Sequence, residues 1–377
     1  MPEWQVNFNN YNGAQVQKRR DLNKFMSETE DNFNIKANFL TLLIGLLGAV
    51  VGYLLNIPLG PMLGALLFVF ISKLASIPLI LSTHYSSFAL YLGGIFMGSR
   101  FPNNFFEDFF IWHISILAIP LFVIFSVLSV SFYLKIFARY DLSTSILSGF
   151  PGGILTMVSI GAEAKGREDT ILSTHTLRIV MTVFVMPFAL VYYGYEITEN
   201  ISSKTQIVNY SNLSLFEIMM IILVSIISLI IARFLKLPAG DLVGPMFGVG
   251  YLYAAKIISG ELPPIILIFV LWILGSNLGL RFPKLDLSSF LKLFIHGCII
   301  FALLFLLSLL FTFLLLPYSN EAGLSIFLAF APGGLGEMAT IGVIFGANPA
   351  FISVHHVVRV IFCALLAIFL SKRFLIK

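Results

Sequence analysis

Between Lys36 and Lys73 the chain runs without a single charged residue. A helix needs only about 20 apolar residues to cross a bilayer. The stretch therefore holds one full span, about 38–56, and a second segment beginning at Pro58. Further uncharged runs cover 74–99, 109–134 and 142–162, and a fourth, 170–195, is interrupted only by Arg178. Composition agrees, with 58% hydrophobic and 11% charged residues. A soluble domain carries about 25% charged residues, so this chain cannot build a water-exposed surface around a core. The reading is an all-α polytopic membrane protein. A soluble enzyme, a disordered chain and a disulfide scaffold are excluded.

Cys298 and Cys363 both lie in apolar runs, so no disulfide framework is implied. The net charge of +4 gives no electrostatic case for nucleic acid. Residues 1–37 are polar and carry Lys18, Arg19, Arg20 and Lys24 with no apolar core of a signal peptide. They read as a cytoplasmic N-terminal tail. Asp21, Glu28, Glu30 and Asp31 offset the basic cluster and weigh against a DNA-binding arm.

The rest of the chain is one unit used twice. Gly94, Gly98, Arg100, Phe101 and Pro102 match Gly275, Gly279, Arg281, Phe282 and Pro283, 181 positions on. Pro151-Gly152-Gly153 matches Pro332-Gly333-Gly334, and His175 and Arg178 match His356 and Arg359, at the same offset. Gly60-Pro61-Met62 pairs with Gly244-Pro245-Met246 at an offset of 184, which implies an insertion that includes Asp241. Repeat 1 covers 38–194 and repeat 2, with a basic C-terminus, 214–377; a polar linker, 195–213, separates them. A period near 180 residues is that of a duplicated transporter half.

Basic residues flank different loops in the two repeats. Lys165 and Arg167 correspond to Gly346 and Asn348, and the first span ends uncharged near Asn56 where its counterpart ends with Arg233 and Lys236. The positive-inside bias then places equivalent loops on opposite sides of the membrane. Two inverted repeats of about five crossings each follow, with 58–83 and 238–263 short or re-entrant and both termini cytoplasmic. Six parallel crossings per repeat is the alternative. Lys135 and Arg139 fit the inverted scheme awkwardly.

Two constellations carry the candidate chemistry. The first is Pro151-Gly152-Gly153 with Thr156, echoed by Pro332-Gly333-Gly334 with Glu337. Proline removes a backbone donor, and each glycine costs a helix about 1 kcal/mol relative to alanine. A broken helix near mid-membrane is expected in each repeat. Its freed backbone groups are tolerated only inside protein or beside water, which makes the breaks candidates for substrate binding; a packing kink is the bland reading. Glu337, an acid in an apolar segment, needs a partner, a proton or an aqueous cavity. It is either a proton carrier or a structural acid paired to Arg359.

The second constellation is His175-x-x-Arg178 and His356-x-x-Arg359, each pair on one helix face. The arginines suit a bidentate carboxylate, or they cap carbonyls of the broken helix. The histidines either exchange protons or donate to carbonyls. For metal, no His-x-x-x-His or Cys-x-x-Cys pair occurs, and no cofactor is implied. Gly93, Gly94, Gly98, Gly275 and Gly279 read as close helix contacts.

The duplicated Pro-Gly-Gly-x-x-x-Met segment followed by His-x-x-Arg resembles the membrane AbrB family over about 38–374. Thr156 opposite Glu337 departs from a symmetric acid pair. The resemblance implies kinship with the superfamily of cation/proton antiporters and anion transporters, with two broken helices crossing at 151–153 and 332–334. Members also carry labels as regulators of gene expression and as ammonia monooxygenases; neither label follows from these residues. The combined expectation is a bacterial inner-membrane secondary transporter of a small, anionic solute. Arg178 and Arg359 would receive the anion, and Glu337, His356 and His175 would handle protons. A membrane regulatory or sensor protein is the alternative, and a copper monooxygenase a weaker one. The partners expected are the lipid bilayer and a small-molecule or ion substrate, with no direct nucleic acid; a homodimer is open to such a chain.

Overall fold

A computed structural model describes residues 35–197, 213–282 and 287–375. The basic tail, most of the linker and Lys377 lie outside the described residues. Repeat 1 contributes α1 (Ile35–Leu54), α2 (Gly60–Leu74), α3 (Thr83–Gly98), the short α4 (Phe105–Ile111), α5 (His113–Ile136), α6 (Leu142–Gly149), α7 (Ile154–Glu163) and α8 (Glu168–Tyr192). Repeat 2 contributes α9 (Leu215–Phe234), α10 (Gly240–Ala254), α11 (Ile265–Leu280), α12 (Leu287–Leu315), α13 (Gly323–Phe330), α14 (Leu335–Ile344) and α15 (Pro349–Leu370). There are no strands among the described residues.

Among the described residues six helices are long and apolar enough to cross a membrane: α1, α5, α8, α9, α12 and α15. They are apolar around most of their circumference, and α9 exposes Ile230, Ile231, Leu223 and Phe234 with no protein cover. Such a surface is stable only in lipid. The protein is an all-α polytopic membrane protein. At 15 and 16 residues, α2 and α3 are about 22 and 24 Å long.

The first three helices of each repeat form a scaffold held by backbone contact. Lipid tails are as apolar as leucine, so close packing rather than water exclusion joins helices here. A Cβ on Gly52 would be driven well inside 3.0 Å of the Gly60 carbonyl, and one on Gly48 into that of Gly64. α1 and α2 are thus an antiparallel pair touching backbone to backbone. The repeats then exchange partners. α3 lays Gly94 on the Leu242 carbonyl of α10, and α11 lays Gly275 on the Met62 carbonyl of α2.

These contacts revise the alignment of the two repeats. The turn after α1 has Asn56 and Leu59 at φ 52° and 53°; the turn after α9 has Lys236 and Ala239 at φ 52°. Ile57 N–H donates to Gly52 O at 3.2 Å and Leu237 N–H to Ala232 O at 3.0 Å. Gly60 therefore corresponds to Gly240 and Gly64 to Gly244, an offset of 180 residues. The Gly-Pro-Met match at 184 was one helical turn out of register, and no insertion at Asp241 exists. Residues four apart share a helix face, so a three-residue motif cannot distinguish the two registers; the turn does.

The remaining helices form a second layer. α5 and α12 pack against α8 and α15 across the repeats, and between them lie α6–α7 and α13–α14. These last pairs are helical hairpins, which corrects the expectation of broken crossing helices. Asp141 caps α6 by accepting from Thr144 N–H at 2.8 Å, and Thr144 Oγ1 accepts from Arg167 N–H at 2.8 Å. The end of α7 has therefore returned to the level at which α6 began. In repeat 2, Asn348 N–H donates to Ser325 Oγ at 3.0 Å, and Asn348 Nδ2 donates to Glu321 Oε1 at 2.8 Å. Pro-Gly-Gly lies at each tip. The sequence shows where backbone bonds are lost but not the direction in which the chain leaves the break.

Candidate functional site

The hairpins reach their meeting point from opposite ends of α15. Hairpin 2 is anchored at its start, through Asn348. The base of hairpin 1 lies near its finish, where Leu142, Ile146 and Leu370 line one cleft. Arms of 8 and 10 residues are about 12 and 15 Å long, half the thickness of a bilayer core. The tips consequently meet near the middle of α8 and α15.

There the two His-x-x-Arg pairs take hold of them. Arg178 Nη1 donates to Phe150 O at 2.7 Å and Nε donates to Pro332 O at 3.1 Å. Arg359 Nη1 donates to Ala331 O at 2.8 Å and Nη2 to Gly333 O at 2.9 Å. Three successive carbonyls of the second tip, Ala331, Pro332 and Gly333, are thus shared between the two guanidinium groups. Arg178 alone bridges both hairpins. The arginines are 1% and 2% exposed, and the unpaired tip carbonyls are what makes their burial tolerable.

The histidines extend the pattern at the same 181-residue offset. His175 Nε2 meets Leu147 O and His356 Nε2 meets Leu328 O, both at 3.0 Å. His175 Nδ1 faces Arg178 Nη2 at 3.3 Å, and His356 Nδ1 faces Arg359 Nη2 at 2.9 Å. An arginine can only donate. Each Nδ1 is therefore the acceptor, and each Nε2 carries the proton it gives to a carbonyl. Both rings are neutral and occupied at both nitrogens in this arrangement, which is the carbonyl-donor use.

Glu337 does not pair with Arg359. It is the third residue of α14, half-buried, with its carboxylate folded back over Gly334. A negative charge there faces the positive end of the helix dipole. Thr156 takes the matching place on α7, also half-buried. Pro151, Pro332 and Gly333 are buried, whereas Gly152, Gly153 and Gly334 are partly open. The structure therefore gathers all twelve candidate residues around the two tips. What sequence reasoning missed are the backbone acceptors and the polar knots at the hairpin bases. Carbonyls leave no mark in a sequence, though a lone Glu321 beside an apolar run was a visible signal.

Glu321 lies in the loop before α13. Burial pushes its carboxyl above the usual carboxylate range, and nearby Asp108 adds to this; bonds from Asn348, Trp112 and Ser325 oppose it. The folded protein thus holds this proton more tightly than the unfolded chain does. Its contribution to stability is full below the ordinary glutamate pKa and is lost as pH rises through the raised value. Glu321→Gln is expected to flatten the fall in thermal stability as pH rises above the ordinary glutamate pKa of about 4.3. An unchanged slope would refute the assignment.

Among the described residues, no group of three or more His, Cys, Asp or Glu is placed to hold a metal ion. His355 is engaged by Phe351 O at 2.8 Å and Ser115 Oγ at 2.9 Å, and His296 by Tyr133 at 2.8 Å.

Fold and site together define a multi-pass α-helical membrane protein built around two helical hairpins whose Pro-Gly-Gly tips are clasped by buried arginines. Residues 61–375 match the family described as "Transition state regulatory protein AbrB", and the chain belongs to that family. It is similar to "Uncharacterized protein YhjN" of Bacillus subtilis (strain 168), with 26% identity over 249 residues. That alignment covers 60% of this chain and 62% of YhjN, under two thirds of the relative's length. No solved structure matches the chain.

Proposed function

We propose that the protein is a secondary transporter of a small anionic solute, bound where the two hairpin tips meet and coupled to protons through Glu337. The observation that carries this reading is the pair of opposed hairpins. Each turns back half-way through the molecule and presents the N-terminus of a ten-residue helix, α7 or α14, at the meeting point. Irregular backbone at that depth is tolerated where it lines a cavity, and helix N-termini there favour anions. Two guanidinium groups behind the tips add positive charge, against the single acid Glu337. In this reading the arginines act on the solute mainly through the tips they position.

The charge distribution supports inverted repeats. Counting α1, α2, α3, α5 and α8 as crossings, hairpin 1 as re-entrant, and repeat 2 likewise puts Lys73, Lys135, Arg139, Lys165, Arg167, Arg233, Lys236, Arg281, Lys372 and Arg373 on one side. Among the described residues, Arg100 and Lys256 fall on the other. By the positive-inside bias the rich side is the cytoplasm of a bacterial inner membrane, with both termini there. Lys135 and Arg139, awkward when 142–162 counts as a crossing, fit once it is a hairpin.

The family description favours one second reading, a membrane sensor that binds the same solute without net flux and regulates gene expression indirectly. Purified protein in liposomes tests both. Small carboxylates and inorganic anions are screened for thermal stabilisation, and any binder is then assayed for uptake under a pH gradient. Glu337→Gln is expected to reduce proton-driven uptake at least tenfold without loss of folding. Uptake unaffected by Glu337→Gln removes the proton role. Binding with no uptake by the wild type favours the sensor.

A further inference from the structure

The two repeats match at their turns, at the glycine contacts that α3 and α11 make across the repeats, and at their histidines. Their hairpins do not match. On α14, Thr340, Val343 and Ile344 are buried, and Gly336 stands against Leu90 of α3 and Leu242 of α10. The corresponding residues of α7, which are Ser159, Ala162, Glu163 and Leu155, are all exposed, Leu155 at 84%. The difference continues onto the next helix. Asp169 and Leu172 of α8 are exposed where Ala350 and Ser353 of α15 are buried. Both α14 and α15 pack on α3, whereas α7 and α8 make no comparable contact with α11.

The tips differ in the same sense. Gly153 takes φ 69°, in the left-handed region, while Gly334 is extended at φ −82°. Arg178 Nε donates across to Pro332 O, but its counterpart Arg359 Nε is buried without a partner. Strict symmetry would have supplied one.

The exposed strip on hairpin 1 is not a lipid surface. It runs from Leu155 through Ser159 to Ala162, the positions whose counterparts Gly336, Thr340 and Val343 on α14 are turned into the protein against the scaffold. At the base of hairpin 2, by contrast, the gap between scaffold and hairpin is filled by rings. Trp112 packs edge-on against Phe351 at 5.2 Å and against Phe105 at 5.8 Å, and Phe105 and Phe101 reach Phe247 of α10. In the repeat-2 positions matching Trp112 and Phe105 the sequence has Leu293 and Asp286.

We infer that the protein stands open on one side only: water reaches the hairpin tips along α7, from the end where Lys165 and Arg167 lie, and is shut out along α14 by the Trp112–Phe351 ring cluster. The reverse state would seat α7 on α11 and bring a tip-1 carbonyl to Arg359 Nε. That the opening admits a transported solute rests on the reading above; the accessibility itself does not.

The test uses single cysteines in full-length protein whose Cys298 and Cys363 are replaced by serine and alanine. Leu155→Cys and Ser159→Cys report on hairpin 1. Thr340→Cys and Val343→Cys report on hairpin 2, two variants guarding against one that fails to fold. A charged, membrane-impermeant methanethiosulfonate is applied to oriented vesicles. The hairpin-1 cysteines are expected to react at least tenfold faster than the hairpin-2 pair, and from one membrane face only. Adding Trp112→Ala is expected to make Val343→Cys reactive from the opposite face. Equal reaction of the two hairpins, or hairpin-1 cysteines that react only with a lipid-soluble maleimide, overturns the inference. Labelling is read whether or not a solute is moved, so a failed uptake assay leaves this result standing.

Discussion

Replacing Arg359 by glutamine is expected to destabilise the protein by about 3 kcal/mol, since each buried acceptor left unmade costs about 1–3 kcal/mol and removing the buried charge returns part of the loss. The acceptors at stake are Ala331 O and Gly333 O, together with His356 Nδ1. Glutamine is too short to reach both carbonyls. Lysine keeps the charge, but a single ammonium cannot span two carbonyls and a ring nitrogen with planar geometry. The order of stability should therefore be Arg, then Lys, then Gln, measured by thermal unfolding in detergent. Arg178→Gln should additionally uncouple the hairpins, because Arg178 alone donates to both tips. An Arg359→Gln protein as stable as the wild type would remove the clasp from this account.

The second large effect is expected from a methyl group. Gly60→Ala should cost at least about 1–3 kcal/mol, the usual range for overpacking, because its Cβ would strike the Gly52 carbonyl and backbone cannot swing aside as a side chain can. The matching change in repeat 2, Gly240→Ala, should be close to neutral. There the Cβ would stand 3.5 Å from Ala232, ordinary van der Waals distance, and alanine is the better helix former by about 1 kcal/mol. Unfolding of the two variants side by side is the measurement. Equal effects would show that α1–α2 and α9–α10 are equally spaced, contrary to the structure.

Much of the architecture is legible in the sequence. Uncharged runs of 20 or more residues admit few folds, and a bilayer leaves the backbone little choice but helix. The duplication was visible because the residues that bind backbone, Pro151-Gly152-Gly153 with His175 and Arg178 and their copies, are chemically distinctive and evenly offset. The nearness of the arginines to the interrupted helices was legible for the same reason, since both features are rare enough in apolar segments to point at each other.

Other features depended on tertiary contacts. Pro-Gly-Gly ends a helix in either direction, so only the bonds at Thr144 and Asn348 reveal hairpins rather than crossings. Gly-Pro-Met fits equally well one turn away, so only the Asn56 and Lys236 turns fix the register. Carbonyls have no letter in a sequence, so the partners of Arg178 and Arg359 emerge only when Phe150, Ala331, Pro332 and Gly333 are brought to them. The asymmetry between α7 and α14 arises from how a whole layer leans on the scaffold. Composition and local periodicity determine which segments are helical and that they lie in lipid. Where two similar halves come to rest against each other depends on contacts between residues far apart in the chain, and only the folded protein supplies them.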